Sequence, residues 1–253
     1  MSARWDHDKE KLSGGAGVLV GVDEAGRGAL AGPVVAAAVA LESSFFNSEA
    51  HQALTEEVDD SKQLSPEQRE GLFELLQDLA NRQQLALAWG SASVDEIESL
   101  NILGATRLAM RRALEFLQDR AGGGWRLPPE DAADPALFPA GLPGNVAAPN
   151  LAEVLVDGRP LRPFPYRHEG LVQGDSRSLC IAMASIVAKV RRDRILVEMS
   201  RHFPDFHFEE NKGYGTPAHR EALLNSGPCR HHRPTFLRKI QSEREDLQPD
   251  LGF

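Results

Sequence analysis

Val18-Leu19-Val20-Gly21-Val22-Asp23-Glu24-Ala25-Gly26-Arg27-Gly28 decides the fold of this 253-residue chain. A valine-rich apolar run reads as a buried strand, because β-branched side chains pack well on a pleated surface. The run stops at two adjacent carboxylates, Asp23 and Glu24. Two glycines flanking Arg27 follow, then Gly32-Pro33 and a second apolar run over 34–41. The spacing predicts a hairpin of strands at 18–23 and 33–41 around a glycine-rich turn. Acids at a strand end beside such a turn are poor core material. They suit metal binding or acid–base chemistry, or else a solvated hairpin end with a Glu24–Arg27 ion pair.

Downstream, Val154-Leu155-Val156-Asp157-Gly158 repeats that design: an apolar strand ending in a carboxylate and a glycine. Strands of one sheet that end on the same side bring their terminal side chains together. Gly174-Asp175-Ser176 then precedes a strong helix from Ser178 to about His202; Asp175 reads either as its cap or as a further acid of the same site. If Asp23, Glu24, Asp157 and Asp175 converge, their negative charge must trap protons or bind cations. All-oxygen donors select hard ions such as Mg²⁺ or Mn²⁺ over zinc. Two such ions activate a water and stabilise a leaving oxygen of a phosphodiester. The chain has neither a phosphate-cradling G-x-x-x-x-G-K-[ST] loop nor a G-x-S-x-G nucleophile elbow.

Between these strands, Ser65-Pro66-Glu67 marks a helix start, with Ser65 as N-cap and a helix running to about Arg82. A third strand is expected over 85–93, a short helix over 94–100, and a longer amphipathic helix from Asn101-Ile102-Leu103 to Arg120. Three stretches read as irregular: a flexible lead-in over 1–17, a polar segment over 42–58, and a Gly/Pro-rich surface insertion over 121–150. The main body is expected to span 18–239, with an acidic tail over 240–253. Cys229, His231 and His232 offer metal-type donors without a second ligand pair, a weak zinc pattern.

Composition narrows the function. The net charge of −9 is uneven: residues 1–156 carry 12 Lys and Arg against 24 Asp and Glu, whereas 157–239 carry 15 against 9. A locally basic surface can supply phosphate contacts even on an acidic protein. Two cysteines speak against a disulfide framework and for a reducing, cytoplasmic setting. No apolar run reaches the ~20 residues of a membrane span.

Taken together, Gly21–Gly28 with Gly32-Pro33-Val34, Asp60-Ser61-Lys62-Gln63-Leu64-Ser65, Asn101-Ile102, Val156-Asp157-Gly158, Gly174-Asp175, Ala184–Val190 with Arg192-Asp193-Arg194, and Gly213-Tyr214-Gly215-Thr216 resemble the type 2 ribonucleases H, bacterial ribonuclease HII in particular. The likeness covers roughly 18–239, apart from 121–150, in the family's order. It implies an α/β, ribonuclease H-like mixed sheet flanked by helices, with a small C-terminal helical region. It implies endonucleolytic hydrolysis of the RNA strand of RNA–DNA hybrids, and cleavage 5′ to single ribonucleotides in duplex DNA that leaves 5′-phosphate and 3′-hydroxyl ends. Ribonucleotide and primer removal would be its roles.

The resemblance assigns Asp23, Glu24, Asp157 and Asp175 as metal-binding catalytic carboxylates, taking Mg²⁺ or Mn²⁺. It places Gly26, Arg27 and Gly28 at the ribonucleotide's 2′-OH and backbone, and Tyr214 against the following sugar. Lys62 and Lys189 become phosphate contacts, and Asp193 a structural acid held by neighbouring arginines. A monomer acting on hybrid or ribonucleotide-containing duplexes is expected, with no membrane partner. The Cys229–Phe236 segment only approximates the family's wording. Three other readings are a type 3 ribonuclease H, for which a seventeen-residue lead-in is too short to hold the extra domain, a hybrid-binding module without catalysis, and an enzyme of small phosphate esters.

Overall fold

A computed structural model describes residues 2–15, 17–58, 61, 63–130 and 150–247. In chain order the elements are α1 (Ala3–Ser13), β1 (Val18–Ala25), β2 (Val34–Glu42), α2 (Glu49–Leu54), α3 (Pro66–Asn81), β3 (Ala86–Ala92), α4 (Val94–Arg120), β4 (Glu153–Asp157), β5 (Glu169–Leu171), α5 (Gly174–Arg177), α6 (Leu179–Ser200), α7 (Phe208–Asn211), α8 (Pro217–Ser226) and α9 (Pro234–Leu247). The five strands form one mixed sheet in the order β3-β2-β1-β4-β5. β1 and β2 pair antiparallel from Val18↔Glu42 to Ala25↔Val35, the expected hairpin. β4 lies parallel to β1 on its other side, from Leu19↔Glu153 to Val22↔Val156.

Strand alternation divides the core in two. Val18, Val20 and Val22 face α4 together with Ala36, Ala38, Val154 and Val156. Leu19, Ala37, Val39, Leu41 and Leu155 face α6. β2 is buried along all but its last residue, as a strand covered on both faces must be. Its alanines keep both helices close to the sheet. The approach is tightest at Gly21, where a Cβ would come within 2.3 Å of the Cys180 backbone.

The helix ends follow their sequence signals. Ser65 and Gln68 form a capping box ahead of Pro66. Ser93 and Glu96 form another, and Glu96 takes a bidentate pair from Arg112 at 2.7 and 2.9 Å that lowers its carboxyl to about 2. The break between the two expected helices lies at Asn101 (φ 56°), whose Oδ1 accepts from the Leu103 and Gly104 amides and restarts the helix.

Four boundaries differ from expectation. Residues 3–13 are a helix rather than a flexible lead-in, because Trp5 and Leu12 bury against the core and Trp5 meets Phe46 edge-on at 4.9 Å. The 42–58 segment contains a 3₁₀ turn over 43–47 and then α2, pinned by buried Phe45 and Phe46. Residues 121–130 are seated by buried Trp125 and Leu127, and Arg126 exchanges backbone hydrogen bonds with Asn150 and Ala152. The remainder of that insertion, 131–149, lies outside the described residues. Finally, α9 extends through Leu247, past the expected start of a tail at 240. Its Leu237 and Ile240 fill a satellite core with Leu30, Leu196, Phe206, Phe208 and Leu223. No helix among the described residues is long and apolar enough to cross a membrane.

Candidate active site

Because β1 and β4 run parallel with Val22 opposite Val156, the next residues, Asp23 and Asp157, emerge side by side at the same sheet end. Alternation turns both toward the α6 face, away from the valines before them. Asp175 arrives from the other direction, on α5 just after β5. Its turn is locked by Gln173 in the left-handed region (φ 55°) and by the Gly174 amide, which donates to Asp157 Oδ1 at 2.7 Å. Gly174 makes room for this close approach: a Cβ would stand 2.6 Å from Ile181 Cδ1 and 3.1 Å from that carboxylate, so both would have to shift.

One carboxylate oxygen from each of Asp23, Asp157 and Asp175 lies within 4.8 Å of the others. Asp23 and Asp175 are only 4% and 6% exposed. Burial, with the nearby charges of Glu24 and Asp157, raises the Asp23 carboxyl well above the usual range. Against this, Asp23 accepts from the Glu24 amide at 2.7 Å and from the Ser185 hydroxyl. Ser185, buried on α6, also exchanges a 2.8 Å hydrogen bond with Ser61. Neither serine was singled out as a site residue from the sequence. The available signal is a hydroxyl inside the otherwise apolar 179–188 run.

Glu24, by contrast, stands outside this trio. Adjacent strand residues point to opposite faces, so Glu24 looks toward α4 and pairs with Arg27 at 2.9 Å. It lines a cleft of about 360 Å³ with Arg27, Arg107, Asp157, Arg159 and Arg162. Sequence reasoning treated four acids as one cradle; the described geometry brings three together and sets the fourth on the adjoining wall.

The glycine turn is held from beneath by two fully buried guanidiniums. Arg192 donates to the carbonyls of Ala31, Pro33 and Lys212, and Arg233 to those of Gly32 and Arg27. Gly26 (φ 94°) lies flat over Arg192, whose Nε would meet a Cβ at 1.9 Å. Arg27 and Gly28 face solvent. The Arg192 guanidinium lies 5.2 Å from the Tyr214 ring centre, and Tyr214 is 36% exposed. The Tyr214 turn is coupled to the glycine turn, since the amides of Leu30 and Ala31 both donate to the Gly213 carbonyl.

Lys189 forms a 2.8 Å ion pair with Asp193 and lies 5.6 Å from the Tyr214 ring centre. The partner of Asp193 is therefore this lysine, one turn away on α6, in place of the expected arginines. Lys62 lies outside the described residues. The His232 ring bonds His219 Nε2 at 2.9 Å and accepts from the Cys229 amide. With the His219 Nδ1 proton given to the Tyr214 carbonyl, this histidine pair braces the tyrosine turn.

The Ribonuclease HII family model matches residues 20–120 and 150–240. A ribonuclease HII of Syntrophotalea carbinolica is 42% identical over 218 residues, 86% of this chain and 84% of that protein. Among solved structures, the ribonuclease H2 of Pyrococcus horikoshii superposes with a TM-score of 0.61 at 23% identity, covering 90% of this chain and 99% of its own. Bst-RNase HIII in complex with Mn²⁺ superposes with a TM-score of 0.60 at 17% identity, covering 94% of this chain and 73% of its own. Those two likenesses establish the ribonuclease H-like fold, and the sequence matches go further: the chain belongs to the ribonuclease HII family and is a ribonuclease H, a hydrolase of the endoribonuclease type.

Proposed function

We propose that this chain cuts the RNA strand of RNA–DNA hybrids and cleaves 5′ to single ribonucleotides in duplex DNA, leaving 5′-phosphate and 3′-hydroxyl ends. The observation that carries the reading is the trio Asp23, Asp157 and Asp175, with oxygens within 4.8 Å and two of the three residues buried. Such a set is costly without a cation. The donors are all carboxylate oxygens, which fit a hard divalent ion such as Mg²⁺ or Mn²⁺ and disfavour zinc. Asp23, Asp157 and Asp175 would hold the ions, with Glu24 on the adjoining wall completing the set. Bound in a pair, the ions would supply an activated water and charge stabilisation at the phosphate.

The protein's own groups prepare that site. The Glu24 amide and Ser185 hydroxyl orient the Asp23 carboxylate, and the Gly174 amide orients that of Asp157. Gly28 has open space where a Cβ would stand and is exposed, so packing does not demand glycine there. A backbone that must approach a sugar closely does. Gly26, Arg27 and Gly28 thus read the ribose 2′-OH, the group that separates RNA from DNA at one position. Tyr214 packs against the following sugar. Lys189 and Lys62 are phosphate contacts in this reading, Lys189 exchanging Asp193 for a phosphate oxygen. Arg159 and Arg162 on the cleft wall extend the cationic track.

The enzyme works as a monomer in the cytoplasm, in ribonucleotide and primer removal. Its two cysteines are both free thiols, in keeping with a reducing compartment. The deciding experiment incubates the protein with duplex DNA carrying one ribonucleotide, with Mg²⁺, with Mn²⁺ and with EDTA. Cuts mapped 5′ to the ribonucleotide in the metal lanes alone are expected. Cleavage in EDTA, or ends bearing 3′-phosphate, overturns the reading.

A further inference from the structure

Helix α1 lies outside the residues that the family model matches, yet it is joined to the site by polar contacts as well as by packing. Arg4 Nε donates to the backbone carbonyl of Asp175 itself at 2.9 Å, and Arg4 Nη1 to the Val58 carbonyl at 3.3 Å. One turn along, Asp8 is fully buried. Its Oδ2 accepts from the Ser178 hydroxyl at 3.0 Å and the Cys180 amide at 2.8 Å, and its Oδ1 is 2.8 Å from His7 Nδ1. Asp8 therefore supplements Ser178 at the N-terminus of α6, where a negative charge meets unpaired amides and the positive end of the helix dipole. Ser178 directly follows the four-residue α5 that carries Asp175. Lys11 closes the arrangement by pairing with Glu153 at 3.0 Å and with Glu169, at the starts of β4 and β5.

We infer that α1 is a positioning element of the metal site: Arg4 and Asp8 hold the Asp175 turn in place against the repulsion of the other two aspartates. This inference rests on the metal-site reading above. The need for such a support is local. α5 has only four residues and no side-chain N-cap, and it follows a residue in the left-handed region. Without Arg4 the Asp175 turn would relax away from Asp23 and Asp157, and the site would bind cations more weakly. Arg4 and Asp8 touch no reacting atom; their effect passes through Asp175.

The test is calorimetric titration of Mn²⁺ into the full-length parent, Arg4→Ala, Arg4→Lys and Asp8→Asn, without substrate, after circular dichroism has fixed the folded fraction of each. Arg4→Ala leaves Trp5 and Leu12 to keep α1 docked. Its Kd for Mn²⁺ should rise about tenfold, as for other residues that orient metal ligands. Arg4→Lys, which retains a donor, should recover part of that loss, and the cleavage deficit of Arg4→Ala should shrink as Mn²⁺ is raised. Amide exchange at Ser176 and Ser178 should quicken in both Arg4→Ala and Asp8→Asn. An Arg4→Ala protein that is folded and binds Mn²⁺ as the parent does overturns the inference. A parent that takes up no Mn²⁺ overturns the metal-site reading beneath it.

Discussion

Replacing Asp23 by asparagine should make the metal-free protein more stable while removing its response to metal. Asp23 is 4% exposed, and one of its oxygens lies within 4.8 Å of an Asp157 oxygen. At an effective dielectric of ~20, two unit charges at that separation repel by about 3.5 kcal/mol. Burial adds a desolvation cost that an amide largely escapes. Asparagine keeps the shape and an oxygen for the Glu24 amide, and its NH₂ can donate to Ser185 Oγ, so the substitution creates no cavity and no orphaned polar atom.

About 3 kcal/mol of repulsion should be relieved, which for a domain of this size corresponds to roughly 6–12 °C in Tm. The parent should behave in the opposite way when metal is added. A cation at ~100 times its Kd stabilises by about 2.7 kcal/mol, and Asp23→Asn should lose most of that gain. Differential scanning calorimetry at pH 7.5 in EDTA and again in Mn²⁺ reads both effects. If Asp23→Asn melts no higher than the parent in EDTA, or if Mn²⁺ raises the two equally, the claim that these carboxylates strain one another for a cation is refuted.

Asp157→Asn should abolish cleavage while leaving hybrid binding in EDTA within about twofold of the parent, since it removes a ligand charge and little shape; gel-based cleavage beside fluorescence anisotropy separates the two, and normal turnover would refute the site. Arg27→Ala and Tyr214→Ala should each reduce kcat/KM on a single embedded ribonucleotide more than on a long hybrid, because only the former offers one 2′-OH to read; equal losses on both substrates would count against a discriminating role. Burial and the neighbouring His219 hold His232 down to about 4, whereas an unfolded histidine titrates near 6.5. Between those values the unfolded chain binds the proton and the native one does not, so stability contributed above pH ~6.5 is lost as pH falls toward 4. That loss is about 2 kcal/mol by pH 5. Urea midpoints at pH 7.5 and 5 should show it, and His232→Gln should flatten the dependence.

Much of this molecule is legible residue by residue. The β1–β2 hairpin, the capped starts of α3 and α4, the break at Asn101 and the β4 strand are local patterns, each decided by side chains within a few positions of one another. The carboxylates at strand ends could be found the same way, as charge where an apolar run stops. What linear order could not convey is which face each acid takes. Strand alternation sends Asp23 toward α6 and Glu24 toward α4, and only the register of β1 against β4 brings Asp23 level with Asp157. Nor could it show that a polar N-terminal segment would dock, because Asp8 finds its partners 170 and 172 residues away at Ser178 and Cys180. Arg192 and Arg233 likewise find their carbonyl partners in the glycine turn about 160 and 200 residues away, which linear order does not convey. Local sequence carries the strand ends and the helix caps; tertiary structure alone brings Asp23, Asp157 and Asp175 within 4.8 Å of one another and Arg4 onto the Asp175 carbonyl, because those contacts join segments that only folding brings together.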